Sequence, residues 1–238
     1  MQQYFVTTKL EIDKEVELSL EQSNHIVKVL RMKSDQVVRL SDQVSIFLAR
    51  IKVEQKTVVA TCFEDVTVKD SFQNKITLFL ALLKGDKWDY VLQKVTELGV
   101  DQIIPVVTER TIVKIKDNSD RKLERWQKIV LEAAEQSHRL TIPVVREPIL
   151  MKQMESYKSE FNIVAYELQE DQLIQSLLPK DQSIAVFIGP EGGFSVDEID
   201  YLKKLNFHTC SLGKRILRAE TAAIYSMSVM NCLLGEME

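Results

Sequence analysis

The 238-residue sequence predicts an α/β protein in two parts: a small β-rich unit over residues 1–70, then a mostly parallel sheet alternating with helices over residues 71–238. Three observations carry this expectation. Short β-branched and aromatic runs crowd the amino-terminal part. From Ile76 onward, apolar strand-like runs take turns with amphipathic helical stretches. Two glycine turns, after Ile188 and after Leu212, each follow an apolar run and precede a helix.

In the first part, residues 4–6, 37–40, 44–51 and 57–63 read as strands and residues 21–30 as one helical piece, which suggests a small barrel. A charged, turn-prone stretch at 69–75 separates it from the second part. There a strand is expected over 76–83. Trp88, Val91, Leu92, Val95 and Leu98 then recur at spacings of three and four, one stripe of a helix that Gly99 would end. A strand follows at 102–107. Leu123, Trp126, Val130, Ala133 and Ser137 mark the inner face of a second long helix. Further strands are expected at 162–166, 184–188 and 207–212. Ser195 with Glu198 three residues on forms a capping box, opening a helix with apolar positions Val196, Ile199, Leu202 and Leu205. A last helix, rich in Ala, Met and Leu, begins near Glu220.

With 45% hydrophobic residues the chain can bury a substantial core. No run approaches the roughly 20 apolar residues of a membrane span, and the amino terminus lacks a signal-peptide layout, so a cytoplasmic protein is expected. A net charge of −4 argues against bulk polyanion binding while leaving room for a local basic patch. Cys62, Cys210 and Cys232 are odd in number and widely spaced, which suggests core residues and no disulfide framework. His25, His138 and His208 form no metal-ligand spacing.

Four of the seven glycines fall between residues 189 and 213, in Ile188-Gly-Pro-Glu-Gly-Gly-Phe-Ser195 and Leu212-Gly-Lys-Arg-Ile-Leu-Arg-Ala-Glu-Thr-Ala222. Bare backbone next to charged side chains lets a ligand approach main-chain groups, and turns at strand ends are where α/β sheets hold ligands. Neither a P-loop nor a dinucleotide pattern is present. Taken singly, the first segment favours a ligand-holding turn over a bare tight turn, whereas the second, with Lys214, Arg215 and Arg218, reads as a solvated basic loop. Two such turns after successive strands favour a small-molecule site. Lys84-Gly-Asp-Lys87, with Lys94 and Glu97 on the helix after it, and the run 132–139 read by themselves as solvated helix faces.

Together these segments resemble one family. Val29-Leu-Arg-Met32, Lys84-Gly-Asp-Lys87, Gln93-Lys-Val-Thr-Glu-Leu-Gly99, Glu109-Arg110, the run from Glu132 to Arg139 followed by Pro143, and the two glycine segments are similar to the RsmE family. These are the 16S ribosomal RNA uracil-N3 methyltransferases of the SPOUT superfamily. The resemblance implies a PUA-like β-barrel that helps bind RNA and a SPOUT domain with a deep trefoil knot. It also implies a homodimer acting on the small ribosomal subunit, S-adenosylmethionine as methyl donor and no metal. The donor would be held by Tyr166, Glu167 and Leu168, by Ile188, Gly189, Pro190, Glu191, Gly192 and Gly193, and by Ser211, Leu212, Gly213, Ile216, Leu217 and Arg218.

Arg218 is the catalytic candidate, because it follows the cofactor loop and its guanidinium stays protonated. An ion pair with Glu220 and a phosphate clamp are its competing roles. Arg31, Lys33 and Arg110 are candidates for RNA phosphates, and Glu135, Gln136 and Arg139 for orienting the base or its phosphate. The chain departs from the family at Gln3, where many members carry arginine, and at Asn24, where many carry histidine. Two other readings share the cofactor loops: methylation of another RNA atom such as ribose 2′-O, and a noncatalytic RNA-binding assembly factor.

Overall fold

The computed structural model describes residues 1–55, 57–68, 75–111, 119–169 and 171–234. The chain divides into two compact units, one made of Met1–Asp70 with Ala134–Ile142 and the other of Ser71–Ala133 with Pro143–Glu238. The expected separator at 69–75 lies, up to residue 74, outside the described residues.

The first unit holds a five-stranded sheet in the order β1-β3-β4-β5-β2. Its strands are β1 (Gln3–Phe5), β2 (Glu15–Glu17), β3 (Val37–Ser41), β4 (Ile46–Glu54) and β5 (Thr57–Asp65). β1 pairs parallel with β3 and the other ladders are antiparallel. Tyr4 and Val16, from the two edge strands, enter one cluster with Ile26, Leu40 and Ile51, so the sheet curls around a single core. The expected helix at 21–30 is instead α1 (Leu20–Asn24), opened by a Ser19–Gln22 capping box, running into a π-helical turn at His25–Val29. The short β2 escapes the periodicity because one buried valine between two exposed glutamates is no run at all.

The second unit is built on a parallel sheet in the order β12-β10-β11-β6-β7-β8, with β9 also paired to β7. Its strands are β6 (Ile76–Ala81), β7 (Gln102–Val107), β8 (Val144–Val145), β9 (Ile149–Leu150), β10 (Phe161–Ala165), β11 (Ile184–Ile188) and β12 (Phe207–Cys210). Every residue of β6 and β11 is buried, as expected of central parallel strands covered on both faces. On one face Phe79, Phe187 and Phe207 pack with Ile199 and Leu202 of α4 (Val196–Lys204). The remaining helices are α2 (Asp86–Glu97), α3 (Ser119–Gln136) and α5 (Ala219–Leu234). α2 packs on α5, and its Trp88 meets Trp126 of α3 with ring centroids 5.1 Å apart. Two local expectations are corrected. Val196, the first residue of α4, is 65% exposed, and Cys232 is exposed on the last helix while Cys62 and Cys210 are buried. Burial pushes the Cys210 thiol up to about 12.

Because these strands are parallel, the chain leaves β6, β7, β10, β11 and β12 at the same edge of the sheet. The order puts the ends of β12, β10, β11 and β6 side by side, although they are far apart along the chain. Among the described residues no helix is long and apolar enough to cross a membrane, and no group of three or more His, Cys, Asp or Glu side chains could hold a metal ion.

Candidate active site

A cavity of about 570 Å³ opens where β10, β11 and β12 end. That volume lies within the roughly 300–1,000 Å³ of small-molecule sites. Its walls are three loops. The first starts at the end of β10, where Tyr166 N donates to the Cys210 carbonyl at 3.0 Å and a turn closes from Gln169 N to the Tyr166 carbonyl at 3.1 Å. The second is the glycine loop after β11, closed by Gly193 N donating to the Pro190 carbonyl at 2.9 Å. The third follows β12, where Gly213 N donates to Ser211 Oγ at 3.2 Å and Ser211 N to the Gln172 carbonyl at 2.7 Å.

The glycine loop is held from behind. Ser195 caps α4 and Glu198 returns the bond: Glu198 N donates to Ser195 Oγ at 3.3 Å, and Ser195 N to Glu198 Oε2 at 2.9 Å. The other Glu198 oxygen accepts from Glu109 N at 2.8 Å, and Arg110 Nη1 donates to the Gly192 carbonyl at 2.7 Å. One acidic side chain thus joins the helix cap to the loop after β7. Gly193 sits at φ +67°, and a Cβ there would collide with Glu167 Oε1. The missing side chain is therefore the space in which the Glu167 carboxylate lies.

Gly189 is needed for a different reason. A Cβ on it would stand 2.8 Å from Phe194 Cε2, and Phe194 is buried edge-on against Phe187 with centroids 4.8 Å apart. Gly189→Ala is expected to destabilise the protein by about 1–3 kcal/mol, the usual cost of overpacking. A lowered denaturant midpoint reads this, and an unchanged midpoint would show that the Phe194 ring yields freely.

Most of the donor-site residues expected from the sequence line this one cavity: Tyr166, Glu167, Ile188 to Gly193, Ser211 to Gly213 and Ile216 to Arg218. Leu168 does not, and its side chain is 71% exposed. Arg218 is exposed at the cavity, and among the described residues its side chain makes no ion pair or hydrogen bond. The ion pair with Glu220 that the sequence allowed is not formed. Glu220 Oε2 instead faces Lys87 Nζ at 3.6 Å. Arg110 stands behind the glycine loop, engaged with Gly192.

Arg31, Lys33, Glu135, Gln136 and Arg139 belong to the first unit and are not among the cavity-lining residues. Arg31 and Lys33 are exposed, Arg31 at φ +54°. Glu135 Oε1 accepts from Phe5 N at 3.3 Å, and the Arg139 carbonyl accepts from Gln3 Nε2 at 2.7 Å. Gln3 is fully buried, and its amide oxygen also accepts from Arg39 Nε at 3.3 Å. It therefore ties β1 to β3 and to the segment after α3, inside the unit. Burial first, and the Glu135 carboxylate second, raise the Tyr4 phenol, which shares a 3.0 Å hydrogen bond with His25 Nδ1.

Sequence reasoning missed Lys87. Its motif was visible, but a lysine in the first turn of a helix looks solvated until the strand order brings the end of β6 beside that of β11.

A parallel sheet carrying this cavity, together with a separate five-stranded unit, defines the class: residues 70–231 match the RNA methyltransferase domain and residues 19–60 the RNA methyltransferase PUA domain. The chain is 36% identical to the ribosomal RNA small subunit methyltransferase E of Bacillus subtilis over 97% of this chain and 96% of that protein. The crystal structure of the Neisseria gonorrhoeae ribosomal RNA small subunit methyltransferase E bound to S-adenosyl methionine is similar with a TM-score of 0.91 and 30% identity, covering 100% of both chains. A Legionella pneumophila structure in complex with the cofactor SAM has a TM-score of 0.86 at 33% identity, covering 97% of this chain and 96% of that one. This chain belongs to the ribosomal RNA small subunit methyltransferase E family.

Proposed function

We propose that this protein transfers a methyl group from S-adenosylmethionine to N3 of one uridine in the 16S RNA of the small ribosomal subunit, in the cytoplasm. The observation that carries this reading is a single cavity joining bare backbone, on which a small molecule can lie, to a guanidinium at its edge that has no partner among the described residues. Its residues fit the donor. The three loops offer main-chain groups, and the room left by the missing Gly193 side chain seats the Glu167 carboxylate at the cavity wall, where it suits a cationic ligand. The knot of the superfamily belongs to the same reading.

When bound, S-adenosylmethionine supplies an electrophilic methyl group on a sulfonium. The protein's share is alignment and charge control. The glycine loop, braced by Arg110 and Glu198, holds a fixed backbone surface against which the methyl can be aimed. Arg218 stabilises the negative charge that grows on the uracil as the N3–H bond is lost. N3 lies on the Watson–Crick edge, so the uridine enters unpaired or flipped out. Arg31 and Lys33, exposed on the first unit, contact RNA phosphates.

A homodimer is supported by α5. Its buried Ala222, Ala223, Met227 and Met230 face the interior, yet Tyr225 and Leu233 are 38% and 44% exposed beside the exposed Cys232. The exposed stripe of α5 sets Tyr225 and Cys232 beside the small polar residues Thr221 and Ser228, with no charged side chain among them, and a second copy would cover it. A monomer mass by light scattering would count against it.

The test is methyl transfer to unmethylated small subunits and to naked 16S RNA, read by nucleoside mass spectrometry. N3-methyluridine is the expected product. A 2′-O-methylated nucleoside would overturn the acceptor, and donor binding without any product would favour the noncatalytic reading.

A further inference from the structure

We infer that Lys87 is a second catalytic cation of this site, donating to a uracil carbonyl beside N3. The inference rests on the uridine-N3 reading above.

Gly85, at φ +59° and ψ −134°, turns the chain sharply from the end of β6 into α2, in a conformation that side chains resist. Trp88, one residue after Lys87, is buried at 3% exposure, which anchors the first turn. Lys87 is thereby presented at the cavity wall. Its ammonium lies between two carboxylates, 3.7 Å from Glu191 Oε1 on the glycine loop and 3.6 Å from Glu220 Oε2 on α5. Both separations are ion-pair distances and neither is a hydrogen bond. The three N–H donors of the ammonium are thus unspent among the described residues.

Glu220 Oε2 is itself buried without a hydrogen-bond partner. A buried carboxylate oxygen left this way is costly unless a nearby charge compensates it. The pair of carboxylates fixes where the ammonium stands without consuming its donors. Lys214, Arg215 and Arg218 all come from the single loop after β12, whereas Lys87 comes from α2. Two cations on independent supports can address different atoms of one flat base.

In the step, the N3–H bond breaks and its proton leaves to water. The N3–carbon bond forms as the carbon–sulfur bond breaks, with that electron pair going to sulfur. Negative charge spreads from N3 onto the flanking carbonyl oxygens, and Lys87 stabilises it there without gaining or losing a proton.

Lys87→Met, Lys87→Arg and the double variant Lys87→Met/Glu220→Gln test this. The expected result for Lys87→Met is donor affinity by calorimetry within roughly threefold of wild type, with turnover to N3-methyluridine lower by about 10²-fold, as for loss of one charge-stabilising donor. Its kcat should rise only at higher pH than the wild type, because the N3 anion has lost a cation. Lys87→Arg should recover much of the rate. The double variant should stay slow, since the uracil contact is still missing.

Recovery in the double variant would overturn the inference by showing that Lys87 only neutralises Glu220. Equal losses of affinity and turnover in Lys87→Met would overturn it in favour of a donor-side role. Should methionine unfold the chain, Lys87→Gln repeats the same comparison. Absence of N3-methyluridine from the wild-type reaction would instead overturn the functional reading itself.

Discussion

Arg218→Ala is expected to lower turnover by roughly 10²–10³-fold, the usual cost of removing one preorganised donor from developing charge, while donor affinity changes little. Arg218 is free to act on substrate because Glu220, its nearest acidic neighbour in sequence, is turned to Lys87. Its backbone is held where α5 begins, the carbonyl accepting from Ala222 N at 2.8 Å. Arg218→Lys keeps the charge and loses the planar fork, so a partial loss is expected. Calorimetry with S-adenosylmethionine and single-turnover rates on small subunits separate the two quantities. If affinity and rate fell together, Arg218 would belong to donor binding.

Gly193→Val should act on donor affinity. A β-branched residue at φ +67° is strained by about 1–3 kcal/mol, and its Cβ has no room beside Glu167. The loop can escape only by breaking the 2.9 Å turn to the Pro190 carbonyl or by pushing the Glu167 carboxylate into the cavity. Either change alters the surface on which the donor lies. A loss of roughly tenfold or more in affinity is expected, about 1.4 kcal/mol per factor of ten, with a smaller loss in thermal stability. Gly192→Ala is the control, because its Cβ would meet Arg110 only at 3.4 Å, an ordinary contact. A folded Gly193→Val protein that binds the donor normally would remove this loop from the site.

Local chemistry was readable wherever it acts through neighbouring residues. The Ser195–Glu198 capping box forms as its spacing indicates, and the strands Gln102–Val107 and Ile184–Ile188 keep the bounds expected of them. Short elements were missed for the opposite reason. Two-residue strands such as Val144–Val145 carry no periodicity, and the π-helical turn at His25–Val29 differs from an α-helix by one added residue that no side-chain pattern records. The departure at Gln3, where many family members carry arginine, says nothing of burial, yet Gln3 is fully buried. Its burial follows from pairing with Arg39 and the Arg139 carbonyl, partners 36 and 136 residues away.

The sequence by itself determined that strands and helices alternate, that two turns must be bare of side chains, and that cations follow the second of them. Those properties are set within a few residues by sterics and hydrogen bonding. Only the tertiary structure decided that the ends of β12 and β10 stand beside the glycine loop after β11, that β6 on its other side brings Lys87 to the same edge, and that Glu220 answers Lys87, leaving Arg218 without a partner among the described residues. Strand order is chosen by which apolar faces bury one another across the sheet, and that competition among distant segments has no local signature.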